Sequence, residues 1–372
     1  MHKVSRRVVL DINLSILAEN FRKISEVVAP LRSIAVLKAD AYGLGMPEIA
    51  KTLVDSGLAA IAVAEIKEAI DALKFNVPVI ILGAILPEEI EPAILFGVRI
   101  PVAGWEEALK INDIALKLNK KAVCHLAVDT GMGRLGIRHE SAFDIITRIS
   151  GLQGLQLEGM YSHFPAASHP DDPETQKQID IFRNLNSQLI ASGLAISQLH
   201  MANSDAICNW KSSCMEPFTH VRPGISLYGF LDASSNNNLD LQPVLTVHSH
   251  LAQVRMLPAG STIGYERTYK CEKPALVGTV AAGYAEGMPL ALSNRGHVII
   301  RGCPCPVLGK VSMDYTTVAL DNVPGAAVGD EVICIGGDAP NNITVEDWAS
   351  LKGTHQHDIL CSFGNRVERR YV

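Results

Sequence analysis

Between about residue 30 and residue 230 the chain alternates short, nearly continuous apolar runs with longer stretches whose apolar positions recur every three or four residues. The runs SIAVLKA (33–39), AAIAVAE (59–65), VPVIILG (77–83), AVCHLAVD (122–129), LEGMYSH (157–163) and AISQLHMA (195–202) read as strands buried on both faces. EIKEAIDALK (65–74) and PETQKQIDIFRNLNSQLIASG (173–193) carry the helical spacing, the second with proline at its start, where the missing N–H costs nothing. Repeated strand–helix units predict a parallel sheet with helical crossovers. About eight strand-like runs in this span favour a closed (β/α)8 barrel of the TIM type over an open sheet, although periodicity by itself does not establish closure.

The pattern changes after the polar segment SSNNNLDLQP (234–243). LTVHSHLAQVRML, ALVGTVAAGY, GHVIIRG, TTVALD and DEVICIG are strand-like runs punctuated by Gly, Pro and Asp, with one late helical pattern in ITVEDWASLKG. The predicted architecture is therefore α/β plus β: a barrel over residues 8–238 and a mostly β domain over 239–372, together with residues 1–12, whose strand-like run begins at Val8.

Composition adds exclusions. The 372 residues suffice for two domains, and 48% hydrophobic with 19% charged residues indicates a globular chain with ample core. A net charge of −6 speaks against nucleic acid as a partner. No apolar run reaches membrane-spanning length, and MHKVSRRVVLDINLS is broken by Asp11 and Asn13 before a signal-peptide core forms, so no membrane role and a cytoplasmic location are expected. The 8 cysteines then read as thiols rather than a disulfide framework. Cys303/Cys305 and His355/His357 lack the spacing of a zinc site, and no metal is expected.

The chemistry centres on IAVLKADAYGLG, residues 34–45. Lys38 emerges where a buried strand leaves its sheet, the place where α/β folds hold reacting groups. Apolar surroundings there would lower its pKa and free the amine for Schiff-base chemistry. Seven further strings follow in order: DTGMGRLG (129–136), YSHF (161–164), HMANS (200–204), VRPGISLYG (221–229), GYERTY (264–269), GYAEG (283–287) and GKVSMD (309–314). Taken as an ordered set along nearly the whole chain, they resemble the alanine racemases, pyridoxal-phosphate enzymes of the barrel-plus-β-domain type.

That resemblance implies a division of labour. Lys38 would hold pyridoxal 5'-phosphate and act as the base on one face of the substrate, with Tyr269, taken over Tyr265 by aligning the terminal TY, as the base on the other. Arg222 would face the pyridine nitrogen, donating a hydrogen bond without surrendering its proton. Gly224 and Ile225, with the hydroxyls of Ser204 and Tyr42, would cradle the phosphate. His163 would lie beside the ring, Arg134 would recognise the carboxylate with the main chain of Met313, and Tyr284 would line the substrate entrance. Tyr269, Tyr284 and Met313 would come from the partner subunit of a homodimer. The implied activity is interconversion of L- and D-alanine by a two-base mechanism, supplying D-alanine for peptidoglycan, with serine or dual serine/alanine racemisation as the alternative.

Two positions depart from the family pattern. Ala127 stands where many members carry a carbamylated lysine that positions the arginine, so another anion such as chloride, or neighbouring polar groups, is expected beside Arg134. Asn365 falls where a tyrosine narrows the substrate pocket, unless a one-residue gap brings Phe363 into register; a small polar side chain there would admit serine. A barrel-type decarboxylase would pair the pyridine nitrogen with a carboxylate rather than Arg222, and a single-barrel pyridoxal-phosphate carrier would lack the β domain.

Overall fold

The eight parallel strands of the N-terminal half are short because each needs only to cross a barrel wall. In the computed structural model, which describes residues 7–232, 234–236 and 239–372, the first strand β1 (Val9–Ile12) is followed by β2 (Arg32–Val36), β3 (Ala60–Val63), β4 (Val79–Ile81), β5 (Ile100–Val102), β6 (Ala122–Asp129), β7 (Ile137–Arg138), β8 (Leu155–Tyr161), β9 (Gln198–His200) and β10 (His220–Val221). The sheet order is β4-β3-β2-β10-β9-β8-β6-β5, all parallel, with β7 a short addition to β6. A parallel bridge between Ile80 and Arg99 joins the two ends of that order, with Ile81 N donating to Arg99 O at 3.1 Å and Arg99 N to Val79 O at 2.9 Å. The ring is thereby closed.

Ile34, Ala60, Ala62 and Ile80 pack together with Val36 and Leu82 flanking them. Helices cover the outside with apolar faces: Phe182, Leu185 and Leu189 of the Pro173–Ala191 helix are buried, and the Phe182 ring stacks on Phe218 with centroids 5.5 Å apart. That helix starts as read, with Pro173 in its first turn and the Asp172 carboxylate accepting from Glu174 N at 3.3 Å and Thr175 Oγ1 at 2.8 Å.

The C-terminal strands are β11 (Leu245–Leu257), β12 (Thr262–Ile263), β13 (Tyr269–Lys270), β14 (Ala275–Val280), β15 (His297–Ile300), β16 (Cys303–Pro306), β17 (Thr316–Ala319), β18 (Glu331–Ile335) and β19 (Glu368–Tyr371). The main sheet runs β16-β15-β18-β11-β1-β19, and β14 pairs with both β11 and β17. Thus β1 belongs to this sheet, antiparallel to β11 and parallel to β19. β16 carries no strand pattern, because CPCP contains two prolines; as the last strand in the order it lies at an edge, where a missing N–H is tolerated.

The chain divides into two compact units, Ile16–Ala41 with Met46–Pro243, and the described chain up to Ser15 with Tyr42–Gly45 and Val244–Val372. The expected boundary at residue 238 lies outside the described residues, as do the first six residues of the expected N-terminal piece. Among the described residues no helix is long and apolar enough to cross a membrane.

Candidate active site

Lys38 follows β2 at the C-terminal end of the barrel and leads into an unusual backbone. Ala39, Asp40, Ala41 and Tyr42 all have φ between 53° and 60°, one turn of left-handed helix without a glycine. Each such residue costs about 1–2 kcal/mol. The turn is held at its start by Glu68, whose carboxylate accepts from Ala39 N and from Ala64 N at 3.0 Å, and further on by Asp40, which accepts from Met46 N at 2.7 Å. Gly43 O and Leu44 O accept from Arg369 Nη2 at 2.8 Å and Tyr371 Oη at 3.0 Å. The apolar setting expected for Lys38 is absent: the residue is exposed.

Arg222, only 3% exposed, is the best-anchored of the expected residues. Its Nη1 donates to His200 Nδ1 at 2.9 Å and His200 O at 2.7 Å; its Nη2 donates to Ser162 O at 2.6 Å, Met201 O at 3.1 Å and His163 Nδ1 at 3.4 Å. Burial lowers its pKa to about 10, so the guanidinium is charged at neutral pH. The partly buried His163 is pushed down to about 3 by burial and then by the positive charges of Arg222, Arg134 and Lys38, and is a neutral imidazole. Those cations place Lys38, Arg134, His163 and Arg222 in one electrostatic neighbourhood.

Beside them, Ser204 Oγ accepts from Gly224 N at 3.0 Å, Ser226 N at 3.2 Å and Ser226 Oγ at 3.0 Å. The Ile225–Tyr228 turn begins at Gly224, and Ser204 opens the Ser204–Asn209 helix capped by Asn203, whose side chain accepts from Ala206 N at 3.0 Å. Two chain segments therefore start a helical turn side by side, the arrangement that gathers N–H groups toward an anion. Gly224's own N–H is already taken by Ser204.

Arg134 sits exposed on the loop after β6. Asp129 shapes that loop, accepting from Gly131 N and Gly133 N, each at 3.0 Å, and although its burial opposes ionisation these bonds hold its pKa below the usual carboxylate value. A cavity of about 30 Å³ is bordered by Ala127, Arg134, Tyr161 and His163, so the small side chain of Ala127 leaves space beside the arginine.

The β-domain motifs converge as well. Tyr284 N and Ala285 N donate to Ser312 O and Met313 O, both at 3.0 Å, locking GYAEG to GKVSMD. Glu286 accepts from Gly283 N at 2.9 Å and pairs with Arg366 at 2.7 Å, which also holds Asp314 at 2.7 Å. The GYERTY turn is fastened to the same segment through Lys310 and Glu266 at 2.7 Å. A Cβ on Gly264, at φ 77°, would lie 2.7 Å from Lys310 N, so only glycine permits that approach. This fastening separates the two tyrosines. Tyr269 lies in β13 with its ring against the cluster of Ile263, Cys271, Ala275, Val277 and Leu308, whereas Tyr265 is 71% exposed. Met313 and Tyr284 are likewise exposed, at 51% and 44%.

Comparison with known proteins decides the family. Residues 12–232 match the family model "Alanine racemase, N-terminal domain" and residues 244–371 match "Alanine racemase, C-terminal domain". The chain belongs to the alanine racemase family. It is 35% identical over 374 residues to the alanine racemase of Halothermothrix orenii, covering 99% of this chain and 98% of that protein. Among solved structures it resembles the alanine racemase of Clostridium difficile 630, with a TM-score of 0.93, 31% identity and coverage of 100% and 97%. It also resembles the alanine racemase from Bartonella henselae, whose structure carries covalently bound pyridoxal phosphate, with a TM-score of 0.88, 29% identity and coverage of 99% and 100%.

The residues present fit the cofactor of the alanine racemases. The hydrogen bonds of Arg222 to protein acceptors all come from Nη1 and Nη2, among the described residues, leaving Nε–H for an acceptor such as a ring nitrogen. The paired helical starts at Ser204 and Ile225 suit a phosphate, and the exposed Lys38 amine suits an aldehyde.

Reading the sequence missed three groups. Tyr161 stacks on His200 with centroids 5.3 Å apart and an interplanar angle of 6°. His125 and Glu158 extend the Arg222–His200 contact further into the barrel. The available signal was a charged or polar residue inside each of two otherwise apolar strand runs.

Proposed function

We infer that this protein is a pyridoxal-phosphate-dependent alanine racemase, a homodimer in the cytoplasm whose D-alanine serves peptidoglycan synthesis. The observation that carries the reading is a buried, charged arginine, Arg222, tied by both Nη atoms to protein acceptors with Nε–H left to a cofactor ring. The cofactor, when bound, withdraws electrons from the substrate's α-carbon and so acidifies its proton. Every other task falls to this chain's side chains.

Lys38 holds the cofactor and exchanges the α-proton on one face, at Nζ. Arg222 would donate to the ring nitrogen and keep its own proton, because its pKa near 10 still exceeds that of a pyridine by several units. It thereby tempers electron withdrawal and favours return of the proton over side reactions. Ser204, Ile225 and Tyr42 would hold the phosphate with the Gly224 main chain lining it, His163 would lie beside the ring, and Arg134 with the Met313 main chain would orient the substrate carboxylate. Tyr284 lines the entrance. β1 pairs with β11 and β19, so residues 8–12 go with the β domain of the family's two-part fold rather than with its barrel.

For the opposite face the packing favours Tyr265 over Tyr269. A proton carrier must reach the substrate, and Tyr265 is the tyrosine presented outward, while Tyr269 is engaged in its own domain's apolar cluster. The exposure of Tyr265, Tyr284 and Met313 supports their contribution to a partner's site. Racemisation of L-alanine and L-serine by the cofactor-saturated protein, compared by kcat/KM, tests the reading. A clear alanine preference supports it, dominant serine turnover replaces the substrate, and turnover of neither refutes racemase function.

A further inference from the structure

Arg222 is a buried cation with no carboxylate in contact among the described residues. Its hydrogen bonds continue instead through the barrel interior: Nη1 to His200 Nδ1 at 2.9 Å, His200 Nε2 to His125 Nδ1 at 2.9 Å, and His125 Nε2 to Glu158 Oε2 at 3.1 Å. Glu158 in turn pairs with Arg99, Nε to Oε2 at 3.0 Å and Nη2 to Oε1 at 3.4 Å. The path runs from the C-terminal end of the barrel, beyond β10, to the residue preceding β5.

Donor chemistry fixes its direction. A guanidinium has only donors, so His200 Nδ1 accepts and is unprotonated. His200 is then the neutral Nε2–H tautomer and donates to His125 Nδ1. His125 for the same reason carries its hydrogen on Nε2 and donates to Glu158. Reversing the chain would set His200 Nδ1–H against the Arg222 N–H. An ionised carboxylate, which only accepts, at the far end excludes that reversal.

The fold is built around this path. The β6–β8 register pairs Cys124 with Leu157 but His125 with Gly159, leaving Glu158 as an extra residue in a bulge that re-aims its carboxylate toward His125. A Cβ on Gly159 would lie 2.3 Å from His125 Nδ1, so the imidazole occupies the space a side chain would need. Tyr161, stacked on His200, fixes the second ring. Burial lowers the pKa of both histidines, and Glu158 is held down to about 2 chiefly by its His125 hydrogen bond and then, against the opposing effect of burial, by Arg99.

We propose that Glu158 is a remote positioning residue for Arg222, acting through His125 and His200, whose tautomers it fixes so that the guanidinium meets only acceptors and its Nε–H stays aimed at the cofactor ring. The proposal rests on the racemase reading for its consequence, but its geometry belongs to the protein alone.

The test is a long-range proton–nitrogen correlation spectrum of apo-protein labelled with ¹⁵N-histidine, with His125 and His200 assigned by His125→Asn, followed by kinetics of the cofactor-loaded enzyme. Wild type is expected to show both rings wholly as Nε2–H; an Nδ1–H or doubly protonated ring at either position overturns the proposal. Glu158→Leu is expected to introduce a second tautomer at His125 and lower kcat about tenfold, with KM and pyridoxal-phosphate affinity within about threefold. Glu158→Gln, whose amide oxygen can still accept, should restore the tautomer and most of kcat. An unchanged spectrum and unchanged kcat in Glu158→Leu refute the role. Should that variant not fold, Gly159→Ala, which drives a methyl into the His125 ring, meets the same criteria. A wild type with the expected tautomers but no racemisation sinks the functional reading alone; racemisation with the wrong tautomers sinks this proposal alone.

Discussion

The Arg222–Ser204 region of the barrel and the β domain present their motif residues in opposite ways, although Lys38 and Arg134 of the barrel are exposed like those of the β domain. In the barrel, Arg222 and Ser204 are buried and hydrogen-bonded on nearly every side, with the neutral imidazole of His163 against the arginine. On the β domain, Tyr265, Met313 and Tyr284 stand exposed on a well-tied backbone. The barrel thus holds its buried arginine and serine by internal hydrogen bonds, whereas the β domain fixes the backbone of its motifs and leaves their side chains outward. Exposed tyrosine and methionine on rigid turns are costly to leave in water, and the homodimer proposed above would cover that face with a second subunit.

The sharpest way to break this contrast is at the exposed tyrosines. Tyr265→Phe should lower kcat for alanine racemisation about a thousandfold while the cofactor still binds, whereas Tyr269→Phe should stay within about threefold. The opposite ranking, measured by steady-state kinetics of both variants, would return the role to Tyr269.

The buried half should reveal itself through pH. His125, His163, His200 and His220 all have pKa values depressed chiefly by burial, the last to about 4. Their unfolded forms take up protons near pH 6.5 and the native forms do not, so stability rises with pH across that window and is lost as pH falls below it. Between pH 7 and 5.5 the loss should be roughly 1 kcal/mol for an imidazole held as low as that of His163, read from denaturant midpoints. Midpoints that are flat in this range would mean the imidazoles are not held neutral.

Gly159→Ala should destabilise the barrel by about 1–3 kcal/mol through overpacking against His125, and a chemical denaturation curve measures it. Ser204→Ala should cost about 1–2 kcal/mol by stripping the acceptor from Gly224 N and Ser226 N, and should weaken cofactor affinity by a similar amount, measured by pyridoxal-phosphate titration. If Ser204→Ala binds the cofactor as tightly as wild type, the phosphate is held elsewhere.

How much of this could be read in the sequence follows the physics of each part. AVCHLAVD and LTVHSHLAQVRML fall on β6 and β11 because continuous or alternating apolar runs report burial directly. CPCP was illegible because an edge position, which composition does not encode, is what makes its prolines tolerable. The left-handed turn after Lys38 was equally hidden: ADAY has no glycine, the Glu68 carboxylate that holds its start comes from another part of the chain, and Asp40 inside the turn is secured by Met46 N beyond it. Tyr269 was preferred over Tyr265 by string alignment; only the packing of β13 separates the two. His125 and Glu158 stood in plain view in their strand runs, but a register bulge, not a motif, brings them together.

The central claim is that the two halves of each site come from different subunits, and a heterodimer of two inactive variants tests it most directly. Lys38→Ala and Tyr265→Phe chains, differently tagged, would be co-expressed and the doubly tagged dimer purified. Shared sites place an intact Lys38 opposite an intact Tyr265 in one of the two sites, so the heterodimer should recover about half of wild-type kcat per dimer. Activity no greater than that of either parent variant would show that each subunit completes its own site, and would contradict the account.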